Sequence, residues 1–250
     1  MTIIQKGSCG ESAQEPFSKT DSSLPKDRLY GRRRGHPLRD RQKRLLSEYL
    51  PRIKFPTRNI KHPFKAFENQ PRALWLEIGF GGGEHSLAQH QIHSDIGYIA
   101  CEVFENGICS LLSNLVRKDV KETEATVPNM LRIWNEDARI LIRALPENSI
   151  EKVFLLFPDP WPKTKHAKRR FVHPERLPLL HRILTPKGQW HIASDDPTYQ
   201  AWVEETMENQ PYFKKIMQTN KRPENWPSTR YEQKAYKAGR SPIFWIFEKS

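Results

Sequence analysis

The sequence predicts an α/β architecture: a parallel, doubly wound sheet with helices on both faces. Three observations carry this. Short apolar runs alternate along the chain with amphipathic helical stretches. The runs are nearly continuous in apolar residues, the pattern of strands buried on both faces. The first run ends in a glycine-rich turn that opens a helix, as in nucleotide-binding α/β units. A chain of 250 residues is long enough for one large domain with a full core.

Each element follows in order. Residues 1–27 are rich in Ser, Gly, Pro and Lys/Glu, with Phe17 as their one aromatic. They offer too little apolar surface to offset ordering entropy, so a disordered tail is expected there. Residues 28–71 read as a basic arm and linker: RLYGRRRGHPLRDRQKRL leads into a short helix over 41–50, and a proline-punctuated linker follows over 51–71. Residues 72–250 form the main domain. Its strands are expected at 74–79, 97–103, 130–137, 152–157, 188–194, 213–219 and 242–249. Helices are expected from Glu84, over 104–118, 138–145 and 174–184, and over 197–208, where Asp196-Pro197 reads as N-cap and first helical position.

Composition narrows the function. Lys+Arg number 41 against 29 Asp+Glu, a formal net charge of +12, with a pI near 9.7. That balance favours a polyanionic partner, nucleic acid before an acidic membrane surface. No apolar run reaches the roughly 20 residues of a membrane helix. Cys9, Cys101 and Cys109 show neither pairing nor metal spacing and read as reduced thiols of a cytoplasmic protein; no metal site is expected.

The stretch LEIGFGGGEH (76–85) sets Glu77 one residue ahead of Gly79, with Gly81 and Gly83 beyond it. Glycines admit positive φ and let a ligand approach the backbone, and the helix start beyond offers free N–H groups. The order is acid-x-G-x-G-x-G, not the dinucleotide GxGxxG. A carboxylate ahead of the first glycine is awkward beside a pyrophosphate. It suits a cationic or polar ligand, such as the amino group and sulfonium of S-adenosylmethionine. The bland alternative is a tight strand–helix turn without a ligand. Glu102 ends the second strand, about 20 residues on, where such folds bind both ribose hydroxyls; NAD would use the same acid. Asp137 ends the third strand before Ala138. It is a candidate acceptor for an adenine amino group, or the N-cap of the next helix.

The fourth strand runs into FPDPWPKTKHAKRR (157–170). Asp159 sits between Pro158 and Pro160, which remove N–H donors and stiffen the loop. That aims a carboxylate at the edge where a methyl group would be presented. Trp161 reads equally as a base-stacking or a core aromatic. Lys163, Lys165, Lys168, Arg169 and Arg170 continue the rim in positive charge, suited to phosphates. Arg32, Arg33 and Arg34, beside Tyr30, read as an RNA-backbone arm rather than a solvated face.

FPDPWPK with its basic run, LEIGFGGG and TRYE (229–232) together resemble the bacterial tRNA (guanine-N7)-methyltransferase family, over roughly residues 28–249. The resemblance implies a Rossmann-like seven-stranded methyltransferase sheet, mostly parallel with an antiparallel C-terminal strand. It implies S-adenosylmethionine as cofactor, tRNA as partner and methylation of a guanine in the variable loop. Glu77, Glu102 and Asp137 would then bind the cofactor and Asp159 would be the active-site acid. Lys163, Asp195, Thr229, Arg230, Tyr231 and Glu232 would contact the substrate. One departure is Ala235, where the family commonly carries glycine. Three other readings compete: a small-molecule methyltransferase, against which the basic surface speaks; an RNA-binding protein without catalysis; and a nicotinamide dehydrogenase, disfavoured by the acid before Gly79. Oligomeric state, monomer or homodimer, is not encoded in these motifs.

Overall fold

The computed structural model describes residues 29–224 and 226–250; the tail 1–27, with Cys9, lies outside them. Seven strands form one sheet: β1 (Ala73–Ile78), β2 (Ile96–Cys101), β3 (Leu131–Trp134), β4 (Ile150–Leu156), β5 (Leu184–Ser194), β6 (Phe213–Thr219) and β7 (Ile243–Lys249). Their order is β3-β2-β1-β4-β5-β7-β6. The first five pair in parallel, while β7 runs antiparallel to both neighbours. The chain leaves β1 toward β2 on one side and returns to β4 on the other. The crevice at the carboxyl end of β1 is therefore the switch point where open α/β sheets hold ligands.

Among the described residues, eight α-helical segments accompany the sheet: α1 (Asp40–Arg44), α2 (Leu50–Ile53), α3 (Glu84–Ile92), α4 (Glu105–Leu115), α5 (Ala138–Ala144), α6 (Leu177–Ile183), α7 (Pro197–Glu208) and α8 (Arg230–Lys237). One face of the sheet packs on Leu141, Leu180, Tyr199 and Val203, from α5, α6 and α7. The other packs on Leu45, Tyr49, Ile53, Ile108 and Leu111, from the first helical stretch and α4. Asp196 caps α7 as its sequence suggests, accepting from the Tyr199 N–H with Pro197 first in the helix.

The structure departs from expectation in three places. Helix 41–50 continues to Ile53, through a wide turn in which the Leu50 N–H bonds to the Leu45 carbonyl. That i→i+5 turn makes room for the ring of Pro51, which has no N–H to give. Segment 51–71, expected as linker, is packed: Ile53 and Phe55 are fully buried, and the Phe55 N–H donates to Ile133 of β3 at 2.8 Å. Finally, α8 had no expected helix behind it. Its start is fixed by Thr229, whose hydroxyl accepts from the Glu232 N–H at 3.1 Å.

Candidate active site

A cleft opens at the carboxyl ends of β1, β2 and β3. Ile78, Gly79, Cys101, Glu102, Val103, Asp137 and Ala138 line it from the sheet, Trp161 and Arg169 from the loop after β4, and Leu29, Tyr30 and Gly31 from the basic arm. Gly79 has φ 73°, and a Cβ there would meet no heavy atom within 4 Å. Glycine is thus needed for backbone conformation, with open space above it. Gly81 and Gly83 also have positive φ. Gly107 of α4 packs so tightly on this turn that a Cβ would lie 2.3 Å from the Gly81 carbonyl oxygen. Gly107→Ala is expected to destabilise the protein by about 1–3 kcal/mol, read as a lowered Tm; an unchanged Tm would mean the turn yields freely.

Glu102 is half-buried and braces the same turn. Its Oε2 accepts from the Gly81 N–H at 2.8 Å, and its Oε1 from the Val103 and Phe104 N–H groups at 2.7 and 2.9 Å. A carboxylate offers about four acceptor positions, so one stays free toward the cleft. Burial pushes this carboxyl up. The three N–H groups oppose that, and the nearby charge of Asp159 adds to it. Asp137 caps α5 through the Arg139 N–H at 2.9 Å, and the Arg139 guanidinium grips the same carboxylate at 2.5 Å. Burial raises that carboxyl too, but the Arg139 bonds outweigh it and leave it low. The capping role of Asp137 is thus realised, on a residue that also lines the cleft.

Glu77 sits elsewhere. It does not line the cleft but lies buried beneath the glycine turn, its Oε2 accepting from Ser86 Oγ at 2.5 Å and the Tyr98 hydroxyl at 2.8 Å, with His85 Nδ1 at 3.1 Å. Burial alone would raise its pKa; His85 and the two hydroxyls reverse this and hold it below the ordinary range. The carboxylate thereby anchors the start of α3. A partner eight positions downstream is not a signal that spacing alone discloses.

Asp159 is exposed on the loop after β4. Phe157 and Trp161, two residues to either side, have φ 51° and 44°. Left-handed conformations at bulky residues are strained, and such strain gathers where a side chain must be aimed. Trp161 is half-buried, and the Arg169 guanidinium packs against both it and Tyr30, 4.8 and 4.7 Å from the two ring centroids. The Arg169 Nε is buried with no hydrogen-bond partner.

The basic run divides. Lys163, Lys165 and Lys168 are exposed. Arg170, expected on the phosphate-binding rim, is buried: it donates to the Pro160 and Trp161 carbonyls and lies over the Trp202 ring. Arg176, which the sequence did not single out, donates to the Arg170 and Lys168 carbonyls at 2.7 and 3.0 Å. Both arginines hold the loop in shape rather than face a phosphate. On the arm, Arg32, Arg33 and Arg34 are exposed. The arm is tied to the start of α4: the Glu105 N–H donates to the Arg33 carbonyl at 2.9 Å, and the Gly35 N–H to Asn106 Oδ1 at 2.9 Å.

The TRYE residues reach the glycine turn from α8. Tyr231 rests on Gly81, and Arg230 lies 3.8 Å from Glu84. Thr229 and Glu232 are buried; the Glu232 carboxylate pairs with Arg222 at 3.1 Å. Asp195, at the carboxyl end of β5, pairs with Arg240 at 3.1 Å.

A family model described as "Putative methyltransferase" matches residues 71–244. The tRNA (guanine-N(7)-)-methyltransferase of Granulibacter bethesdensis is 56% identical over 221 residues, covering 88% of this chain and 94% of the relative. That of Paramagnetospirillum magneticum is 42% identical over 236 residues, covering 92% and 95%. Among solved structures, the 16S rRNA methyltransferase KamB superposes with a TM-score of 0.56 at 14% identity, over 79% of this chain and 95% of that one, a likeness of fold alone. With relatives this similar over nearly all of its length, the chain belongs to the tRNA (guanine-N7)-methyltransferase family.

Proposed function

We propose that this protein methylates N7 of a guanine in the variable loop of tRNA, with S-adenosylmethionine as donor. The observation that carries the reading is Asp159, exposed between two left-handed residues on the loop after β4, with the exposed Lys163, Lys165 and Lys168 continuing from it. A small acceptor needs no such surface; an RNA does.

The cleft fits the methyl donor. Gly79 leaves open space against the backbone, and the Arg169 side chain is among the walls. Glu102 keeps an acceptor position for ribose hydroxyls, and Asp137 with Ala138 stands where an adenine ring would lie. When bound, the cofactor supplies an electrophilic methyl group on a positively charged sulfur. The chain's own work is to place the acceptor. Guanine N7 carries a lone pair and no proton, so no obligatory base is required. Asp159 accepts from the N1–H and exocyclic amino edge and thereby aims N7. Its negative charge favours the ring cation that develops. That edge must be free, so the nucleotide leaves its tertiary contacts first. Lys163, Lys165, Lys168 and the arm hold the surrounding phosphates.

Transfer of tritium from methyl-labelled S-adenosylmethionine into bulk tRNA, followed by nucleoside analysis, tests the reading. The label is expected in 7-methylguanosine; label in another nucleoside, or none, would reject it. Replacing Arg32, Arg33 and Arg34 together with alanine should lower tRNA affinity. The slope of log K against log salt should shrink by about two, at roughly 0.7–0.9 per phosphate contact. An unaltered slope would return the arm to a solvated face.

A further inference from the structure

The segment that carries Asp159 reads Pro158-Asp159-Pro160-Trp161-Pro162. A turn is ordinarily fixed through its backbone N–H groups, and its prolines have none to give. Trp161 also holds φ at 44°, a conformation that persists only where the surroundings impose it. What the segment still offers is carbonyl oxygens, and a donor must come from elsewhere in the chain to hold them.

Arg170 is that donor. Its side chain reaches back across the loop: Nε donates to the Pro160 carbonyl at 3.1 Å and Nη2 to the Trp161 carbonyl at 3.0 Å. The residue is 5% exposed, and its guanidinium lies 4.8 Å from the Trp202 ring centroid of α7. The backbone around Arg170 is fixed in turn. Its carbonyl accepts from Arg176 at 2.7 Å. Two residues on, the Val172 N–H donates to the Tyr199 hydroxyl at 3.2 Å, and the Val172 carbonyl accepts from Trp202 Nε1 at 2.6 Å. A chain of contacts therefore runs from α7 through Arg170 to the two residues that follow Asp159. We infer, on the reading of Asp159 given above, that Arg170 is a positioning residue for methyl transfer: by fixing the Pro160 and Trp161 carbonyls it sets the direction of the Asp159 carboxylate. Arginine suits this task because its donors form a rigid planar fork that also stacks on an aromatic ring. Lysine offers a single charged nitrogen on a flexible stem.

The test is a double-mutant cycle between Arg170→Met and Asp159→Ala, read as the single-turnover rate of methyl transfer at saturating tRNA and S-adenosylmethionine. Misplacing a reacting group by about 1 Å can cost about 10²-fold. Arg170→Met alone should therefore slow transfer by about that factor, with the KM for tRNA within about twofold of its original value. In the Asp159→Ala background the same substitution should slow it by less than about threefold, because no carboxylate is left to aim. Arg170→Lys keeps the charge and loses the fork, and should stay about tenfold or more below the unsubstituted protein. It replaces Arg170→Met in the cycle if melting curves show that the methionine variant fails to fold. Equal slowing in both backgrounds, a loss confined to the KM for tRNA, or full activity in Arg170→Lys would overturn the positioning role and leave that of Asp159 standing. An Asp159→Ala variant that transfers methyl groups at the original rate would overturn both.

Discussion

Asp159→Asn is expected to lower kcat by roughly 10²-fold while leaving S-adenosylmethionine affinity nearly intact. Asparagine keeps the shape of the side chain. It removes the fixed charge that favours the developing ring cation, and it turns one acceptor into a donor facing the N1–H of guanine. Loss of electrostatic preorganisation and of alignment each reach that magnitude in enzymes. The cofactor is expected to keep its partners, because the side chain of Asp159 is exposed on the loop whereas Glu102, Gly79 and Asp137 line the cleft proposed for the donor. Rapid-quench kinetics separate the chemical step from binding. A tRNA with 7-deazaguanosine at the target should bind but accept no methyl group. Methylation of that tRNA would remove both the N7 assignment and the role given to Asp159.

Glu102→Ala should weaken S-adenosylhomocysteine binding tenfold or more. Hydrogen bonds to a charged group are worth about 1.5–3 kcal/mol, and each 1.4 kcal/mol is tenfold in affinity. Two losses combine. The acceptor position open to the ribose disappears, and the Gly81, Val103 and Phe104 N–H groups lose their shared partner. Calorimetry measures the effect. Unchanged affinity would reduce Glu102 to a tether for the glycine turn.

How much of this was legible in the sequence depended on the range of the interaction. β4 and the cap of α7 were readable because their signals are local: a continuous apolar run, and Asp-Pro at a helix start. The start of α8 was also local, a Thr-x-x-Glu capping pattern at 229–232, but its significance was hidden behind the family motif. The burial of Arg170 was not readable. Five cations in one run look alike in sequence, and only the carbonyls of Pro160 and Trp161 with the Trp202 ring distinguish this one. Glu77 illustrates the same point. Its place ahead of Gly79 suggests a ligand, whereas the chain folds His85, Ser86 and Tyr98 around it. The arm closing one wall of the cleft rests on contacts between segments far apart in the chain, which no window of sequence contains.

That last arrangement bears on how the protein comes into being. Tyr30 meets Trp161 and Arg169, while Tyr231 settles on Gly81. Contacts of such sequence separation close large loops, and they form late in folding because loop-closure entropy precedes any reward. On the ribosome, a nascent chain carrying β1 to β3 already has its glycine turn, yet neither Trp161 nor Tyr231 has been made. A wall of the cleft, from Trp161 to Arg176, is therefore missing until the chain beyond β4 has been made.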